Sequence, residues 1–170
     1  ENAVNVLGQP DFITATAATS QSGMRNPNGL AIDSTGNRLF VGDTNNHRVL
    51  VFDVAVITNG ENAVNVLGQS DDNLTNPGPV YTKGLAHNAP HRLGFDAPAS
   101  VAVDLANHRL FVGDTNNHRV LVYTLNADNT LPDRIPDFVL GQANFYTQSP
   151  ATSPSGMRNP NGLAIDSTGN

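Results

Sequence analysis

The chain has 170 residues, a net charge of −6, no cysteine and no tryptophan. Only 14% of it is charged, well below the roughly 25% of ordinary soluble chains, and polarity comes instead from Asn, Thr, Ser, Asp and Gly. No run of about 18 apolar residues exists to span a membrane, Lys83 is the sole lysine, which speaks against generic phosphate-backbone binding, and no disulfide, thiolate metal site or cysteine nucleophile is possible.

The chain starts at Glu1, without methionine or an apolar leader, so a processed product or a fragment is expected. Repetition governs everything after it. VLGQ stands at 6–9, 66–69 and 139–142. Residues 23–37, GMRNPNGLAIDSTGN, return unchanged at 156–170, 133 positions later. Residues 38–51, RLFVGDTNNHRVLV, return at 109–122, 71 positions later. The unit is thus 60 to 73 residues long, with constant segments and a connecting loop of variable length.

Four short apolar runs recur within each unit. The first is Gly29 to Asp33, matched by Ser100 to Asp104 and Gly162 to Asp166. The second is Arg38 to Asp43, matched by Arg109 to Asp114, and the third is Arg48 to Asp53, matched by Arg119 to Thr124. The fourth is Ala63 to Gly68, matched by Ala3 to Gly8 and Asp137 to Gly141. All are rich in Val, Leu, Ile and Phe and bounded by Gly, Asn, Asp or Pro, which is strand composition with turn punctuation. No segment sustains a 3.6-residue apolar period, so helices should be scarce.

The second and third runs are apolar on both faces: Leu39 and Val41 oppose Phe40, and Val49 and Val51 oppose Leu50 and Phe52. Such strands are sandwiched between layers. The first run carries small residues on one face, Gly29 and Ala31 or Ser100 and Ala102, which suits a crowded place where strands converge. The turn 33–37 offers Gly and Asn for positive φ. The fold class expected is all-β, a β-propeller of four-stranded antiparallel blades, with about two and a half blades in this chain. The parts are residues 1–28 (outer strand and inter-blade loop), 29–68 (blade), 69–99 (loop), 100–141 (blade), 142–161 (loop) and 162–170 (inner strand of a further blade).

The segments Pro27 to Asp33 with Arg38 to Val49, and Pro98 to Asp104 with Arg109 to Val120, resemble the NHL repeat. The resemblance implies a β-propeller, most often six-bladed. The fourth strand with VLGQ, read as long, and the Asn-rich loops are similar to repeats of secreted bacterial surface proteins. A blade pair of 133 residues taken three times gives six blades. Alternatively the chain lacks one middle hairpin of a third blade, and two chains give six. A ring needs at least about four blades, so self-association or adjacent blades of a longer chain are expected.

The conspicuous polar constellation is Asp43, Asn46, His47 and Arg48, repeated as Asp114, Asn117, His118 and Arg119. A functional reading makes the repeated histidines, His47 and His118, metal ligands converging from several blades, as the resemblance implies: some family members, such as peptide-amidating and streptogramin lyases, use pore-facing groups with a bound metal. The bland alternative is structural: Asp43 forms an Asx-turn and Arg48 pairs with a carboxylate between blades. Catalysis needs one preorganised constellation, so repeated copies favour the structural role. Asp33, Asp104 and Asp166 end the inner strands. They suit either an acidic channel mouth that draws Ca²⁺ or the capping of hairpin turns, and capping is favoured. His87, His91 and His108 are unrepeated. His87 and His91 have the spacing of a Zn pair, but Pro90 argues against the helix such a pair needs. Asp71, Asp72 and Asn73 lack the spaced ligands of a calcium loop, and Asn73-Leu74-Thr75 fits a glycosylation pattern. No cofactor or metal is expected.

The function expected is a non-catalytic binding or scaffold module, extracellular or at a bacterial cell surface, that presents loops for protein or glycan binding or for self-assembly. The alternative is a metal-assisted lyase or lactonase-like enzyme. Nucleic-acid binding would need a basic face, which the net charge opposes.

Overall fold

A computed structural model describes residues 2–70, 78–82 and 90–166. It contains two four-stranded antiparallel sheets. The first is built from β1 (Pro27–Asp33), β2 (Arg38–Asp43), β3 (Arg48–Asp53) and β4 (Asn65–Leu67) in chain order. The second follows the same order with β5 (Pro98–Asp104), β6 (Arg109–Asp114), β7 (Arg119–Thr124) and β8 (Phe138–Leu140). Among the described residues the helical content is a single 3-10 turn per sheet, Thr44–Asn46 and Thr115–Asn117. The chain is all-β, and the sheets are blades of the expected kind.

Alternation sorts the apolar side chains onto two faces of each blade. Phe40, Val49, Val51 and Leu67 of the first blade face the second, where they meet Val101, Leu110, Val112, Leu121 and Tyr123 in one buried cluster. On the opposite face Val41, Leu50, Phe52 and Val66 form a separate cluster with Met24 and Ala63, covered at its margin by Leu7 and Tyr81. Burial on both sides is what the continuous apolar runs require.

The blades converge at their inner strands. Gly29 lies so close to β5 that a Cβ there would stand 2.7 Å from the Ser100 Cα. At the outer side the blades are tied by the β7–β8 connection of the second blade. Its Asp128 carbonyl accepts a hydrogen bond from Arg38 (3.0 Å), and Arg134 Nε donates to Asn65 Oδ1 (2.8 Å).

The structure departs from the sequence reading at the start of the first strands, in the length of the fourth strands and in the flanking runs. The first strands begin at Pro27 and Pro98, because each proline pairs across a register shift with the aspartate that ends the next strand. The fourth strands are three residues long rather than long, since pairing with the third strand stops at Leu67 and Leu140. Of the two residues that the first hairpin turn offers for positive φ, Asn37 takes it (52°), and His108 does so in the second (53°). The flanking runs, Ala3 to Gly8 and the described part of 162–170, are not strands. Strands exist through their partners, and Val6 gives its N–H to the Asn59 side chain instead of to a ladder.

Gly68 follows β4 at φ +93°, and a Cβ there would run into the Phe95 ring. Gly68→Ala combines backbone strain with overpacking and should cost about 1–3 kcal/mol. A thermal melt followed by far-ultraviolet circular dichroism should show a β-rich spectrum and a Tm lowered by several degrees. An unchanged Tm would contradict this packing.

Candidate functional site

The repeated constellation sits on the tight link between the second and third strands. Register places Asp43 directly opposite Arg48, and Asp114 opposite Arg119, so each ion pair is also a cross-strand pair. The link needs one left-handed residue, and His47 (φ 53°) and His118 (φ 54°) supply it. Histidine is among the few side chains enriched there. Each histidine N–H donates back to the threonine carbonyl that opens the turn.

Asp43 and Arg48 are both fully buried, with Arg48 Nε donating to Asp43 Oδ2 at 2.7 Å. Asn46 Nδ2 donates to the same oxygen (2.8 Å) and to the Ala18 carbonyl. Asp43 Oδ1 accepts from the backbone N–H of Arg25 (2.6 Å). The guanidinium also donates to the carbonyls of Ser20, Gly23 and Tyr81. The second copy repeats this with Arg119 on Asp114, Asp96 N–H on Asp114 Oδ1, and the carbonyls of His91, Gly94 and Phe145. Asp43 therefore makes no Asx-turn: the donor to its Oδ1 comes from the preceding inter-blade loop. Arg48 pairs with the carboxylate of its own blade and reaches the flanking loops through their carbonyls.

The histidines and threonines of the turn face the next repeat. His47 Nδ1 accepts from the Ala97 N–H (3.0 Å), and His118 Nδ1 from the Asn159 N–H (3.2 Å). Thr44 donates to the Pro98 carbonyl and Thr115 to the Pro160 carbonyl. The sequence reading missed Gln69 and Gln142, whose side chains donate to the turn carbonyls of Asn46 and His118. The recurrence of VLGQ was their signal. One copy differs: Thr19 donates to Asn46 Oδ1, whereas Pro90, which has no hydroxyl to donate, stands at the matching loop position and Asn117 Oδ1 is buried without a partner among the described residues.

Asp33 and Asp104 are buried, and their oxygens serve their own turns. Asp33 Oδ1 accepts from the Thr35 N–H, the Thr35 hydroxyl and the Gly36 N–H, and Arg38 pairs with Oδ2 (2.9 Å). Asp104 accepts from the N–H groups of Ala106 and Asn107, and the Asn107 amide takes the place that Arg38 holds in the first blade. Asp166 is exposed. Burial opposes the charge of Asp33, but the Thr35 hydroxyl, the turn N–H groups and Arg38 outweigh it and hold the carboxyl below its ordinary range. For Asp104, too, burial is outweighed, there by Asn107, Ala106 and Arg109.

His91 Nδ1 accepts from the Leu93 N–H, and His108 Nδ1 donates to Asn129 Oδ1 (2.7 Å). His87, Lys83, Asp71, Asp72 and Asn73, with the pattern Asn73-Leu74-Thr75, lie outside the described residues. Among the described residues no group of three or more His, Asp or Glu is placed to hold a metal. Burial pushes the Tyr123 hydroxyl up, far from a pH at which it would exchange protons.

Because the carboxyls of Asp33 and Asp104 are depressed in the folded state, their stabilisation is present above the ordinary aspartate range and lost as pH falls through it. Wild-type Tm should therefore fall below about pH 4. The double variant Asp33→Asn/Asp104→Asn should start lower at neutral pH and show a shallower acid limb, measured by melts from about pH 7 to 2. Parallel acid limbs would contradict the assignment.

The NHL repeat family model matches residues 24–52 and 95–123, which hold the first two strands of each blade, all but the last residue of the third, and the buried pairs. NHL repeat-containing protein 2 of Bos taurus is 29% identical over 102 residues, which is 60% of this chain and 12% of that protein. The chain thus spans about an eighth of its relative. The matches identify two NHL repeats in this chain, each lying within one of its four-stranded blades.

Proposed function

We propose that this chain is a non-catalytic binding module, working outside the cell or at a bacterial cell surface, whose loops take a protein or glycan ligand. The observation that carries this reading is a pair of exposed apolar side chains on matching loops. Ile13 is 92% exposed and Tyr146 56% exposed, at positions 133 apart. Each is held on a firm turn: Asp11 Oδ1 accepts from the N–H groups of Ile13 and Thr14, and Asn144 Oδ1 from that of Tyr146. An aromatic or aliphatic tip on a fixed turn is a low-entropy contact for a partner. Both Asp–Arg pairs, by contrast, are fully buried and committed to each other and to backbone partners. The sparse lysine and the Asn- and Thr-rich exterior suit the extracellular placement. Among the described residues no helix is long and apolar enough to cross a membrane.

The test is binding to an array of glycans and a panel of extracellular proteins. Ile13→Ser/Tyr146→Ser should weaken a bound ligand at least tenfold and leave Tm unchanged. Asp43→Ala should instead lower stability by about 3–5 kcal/mol, because it leaves the Arg48 charge buried without its carboxylate. Metal-dependent lyase or hydrolase turnover, abolished by Asp43→Asn or His47→Ala at unchanged Tm, would overturn the reading in favour of an enzyme.

A further inference from the structure

We propose that Asn59 is a site of spontaneous covalent modification, a deamidation that unfastens Val6 from the first blade. Two Asn-Gly dipeptides lie within that blade, Asn28–Gly29 and Asn59–Gly60. Asparagine is among the chemically labile side chains, and a following glycine brings no Cβ to obstruct attack by its own nitrogen. In the first step a bond forms between the Gly60 nitrogen and Asn59 Cγ, and the Cγ–Nδ2 bond breaks. Ammonia leaves with the proton of the Gly60 N–H. Water then opens the resulting succinimide ring. Opening at one carbonyl gives aspartate, and opening at the other gives isoaspartate, whose backbone runs through the former side chain.

Both asparagines are exposed, so access to the side chain does not separate them. The backbone does. Gly29 is buried and wedged against β5, where a Cβ would stand 2.7 Å from the Ser100 Cα and 2.9 Å from the Ala99 carbonyl oxygen. Its nitrogen has no room to turn toward the Asn28 side chain. Asn59–Gly60 is instead a surface turn between β3 and β4, in which Gly60 takes positive φ (64°). Two hydrogen bonds tie this turn to Val6. The Gly60 N–H donates to the Val6 carbonyl (3.1 Å), and the Val6 N–H donates to Asn59 Oδ1 (2.9 Å) at an exposed position. Exposed bonds of this kind open locally at little cost. Opening releases the attacking nitrogen and the attacked carbonyl group together, because the same two bonds hold both. Isoaspartate then adds one backbone carbon between the two partners of Val6, so both bonds cannot form again. Gly60 also backs the loop that carries Ile13, since a Cβ on it would stand 3.0 Å from the Pro10 Cα and 3.2 Å from the Gln9 carbonyl oxygen. Conversion therefore slackens the support of that loop.

The full chain is aged in mildly alkaline buffer, folded and, in parallel, unfolded in urea. Peptide mass spectrometry with a fragmentation method that tells isoaspartate from aspartate follows both sites. Tryptic peptides 49–83 and 26–38 carry them, the second distinct in mass from its copy at 159–170. In urea the two sites should convert at similar rates. In the folded chain Asn59 should convert at least tenfold faster than Asn28, and the converted molecules should show faster amide hydrogen exchange at Val6. Val6→Pro, checked for fold by circular dichroism, removes the donor to Asn59 and should speed conversion there while leaving Asn28 unchanged. Equal rates at the two sites in the folded chain would overturn the proposal, as would an Asn59 that converts only in urea. Unchanged exchange at Val6 after conversion would overturn the release of that residue.

Discussion

A fully buried ion pair at the foot of each hairpin is the constraint on which the rest depends. Removing a carboxylate and a guanidinium from water costs several kcal/mol per ion, and mutual attraction alone does not offset this. The cost is met only when the remaining donors and acceptors are satisfied in good geometry. For Arg48 that requires the loop before its blade, through Ser20 and Gly23, and the loop after it, through Tyr81. Asp43 requires the N–H of Arg25. Three separate stretches of chain are therefore compelled to meet at one turn. The planar five-donor fork of arginine fits this task, and a lysine ammonium does not.

The blades depend on one another in the same way. A sheet that is apolar on both faces has no solvated side, so it is complete only between neighbours. Phe40 and Val51 are buried because Val101, Leu110 and Tyr123 lie against them. The outer connection of the second blade lengthens this contact by reaching back to Thr35, Arg38 and Asn65. Such nearest-neighbour stability is the energetic signature of repeat proteins.

What the sequence disclosed follows from the range of each interaction. The opposed faces of Phe40 and Val41 were legible because strand alternation is local. The crowding at Gly29 was legible because a small residue in an apolar run marks a place with no room for a larger one. The donors to Asp43 were not legible. Aspartate before Thr-Asn-Asn has a local habit of capping its own turn, and here an N–H from 18 positions upstream displaced that habit. His47 and His118 read as ligands or turn residues, whereas their ring nitrogens serve the next repeat. The terminal runs carried strand composition, but a strand is a property of two segments, and composition describes one.

The clamps have a consequence for variation. Among the described residues, Arg48 and Arg119 hold the inter-blade loops by backbone carbonyls, those of Ser20, Gly23 and Tyr81 in one case and of His91, Gly94 and Phe145 in the other. Carbonyls are the same in every residue, so the grip is blind to the side chains it holds. Loop sequence can drift, and loop length can differ as it does between 69–98 and 142–160, while the anchoring points stay in register. A framework fastened in this manner separates the inheritance of shape from the inheritance of surface.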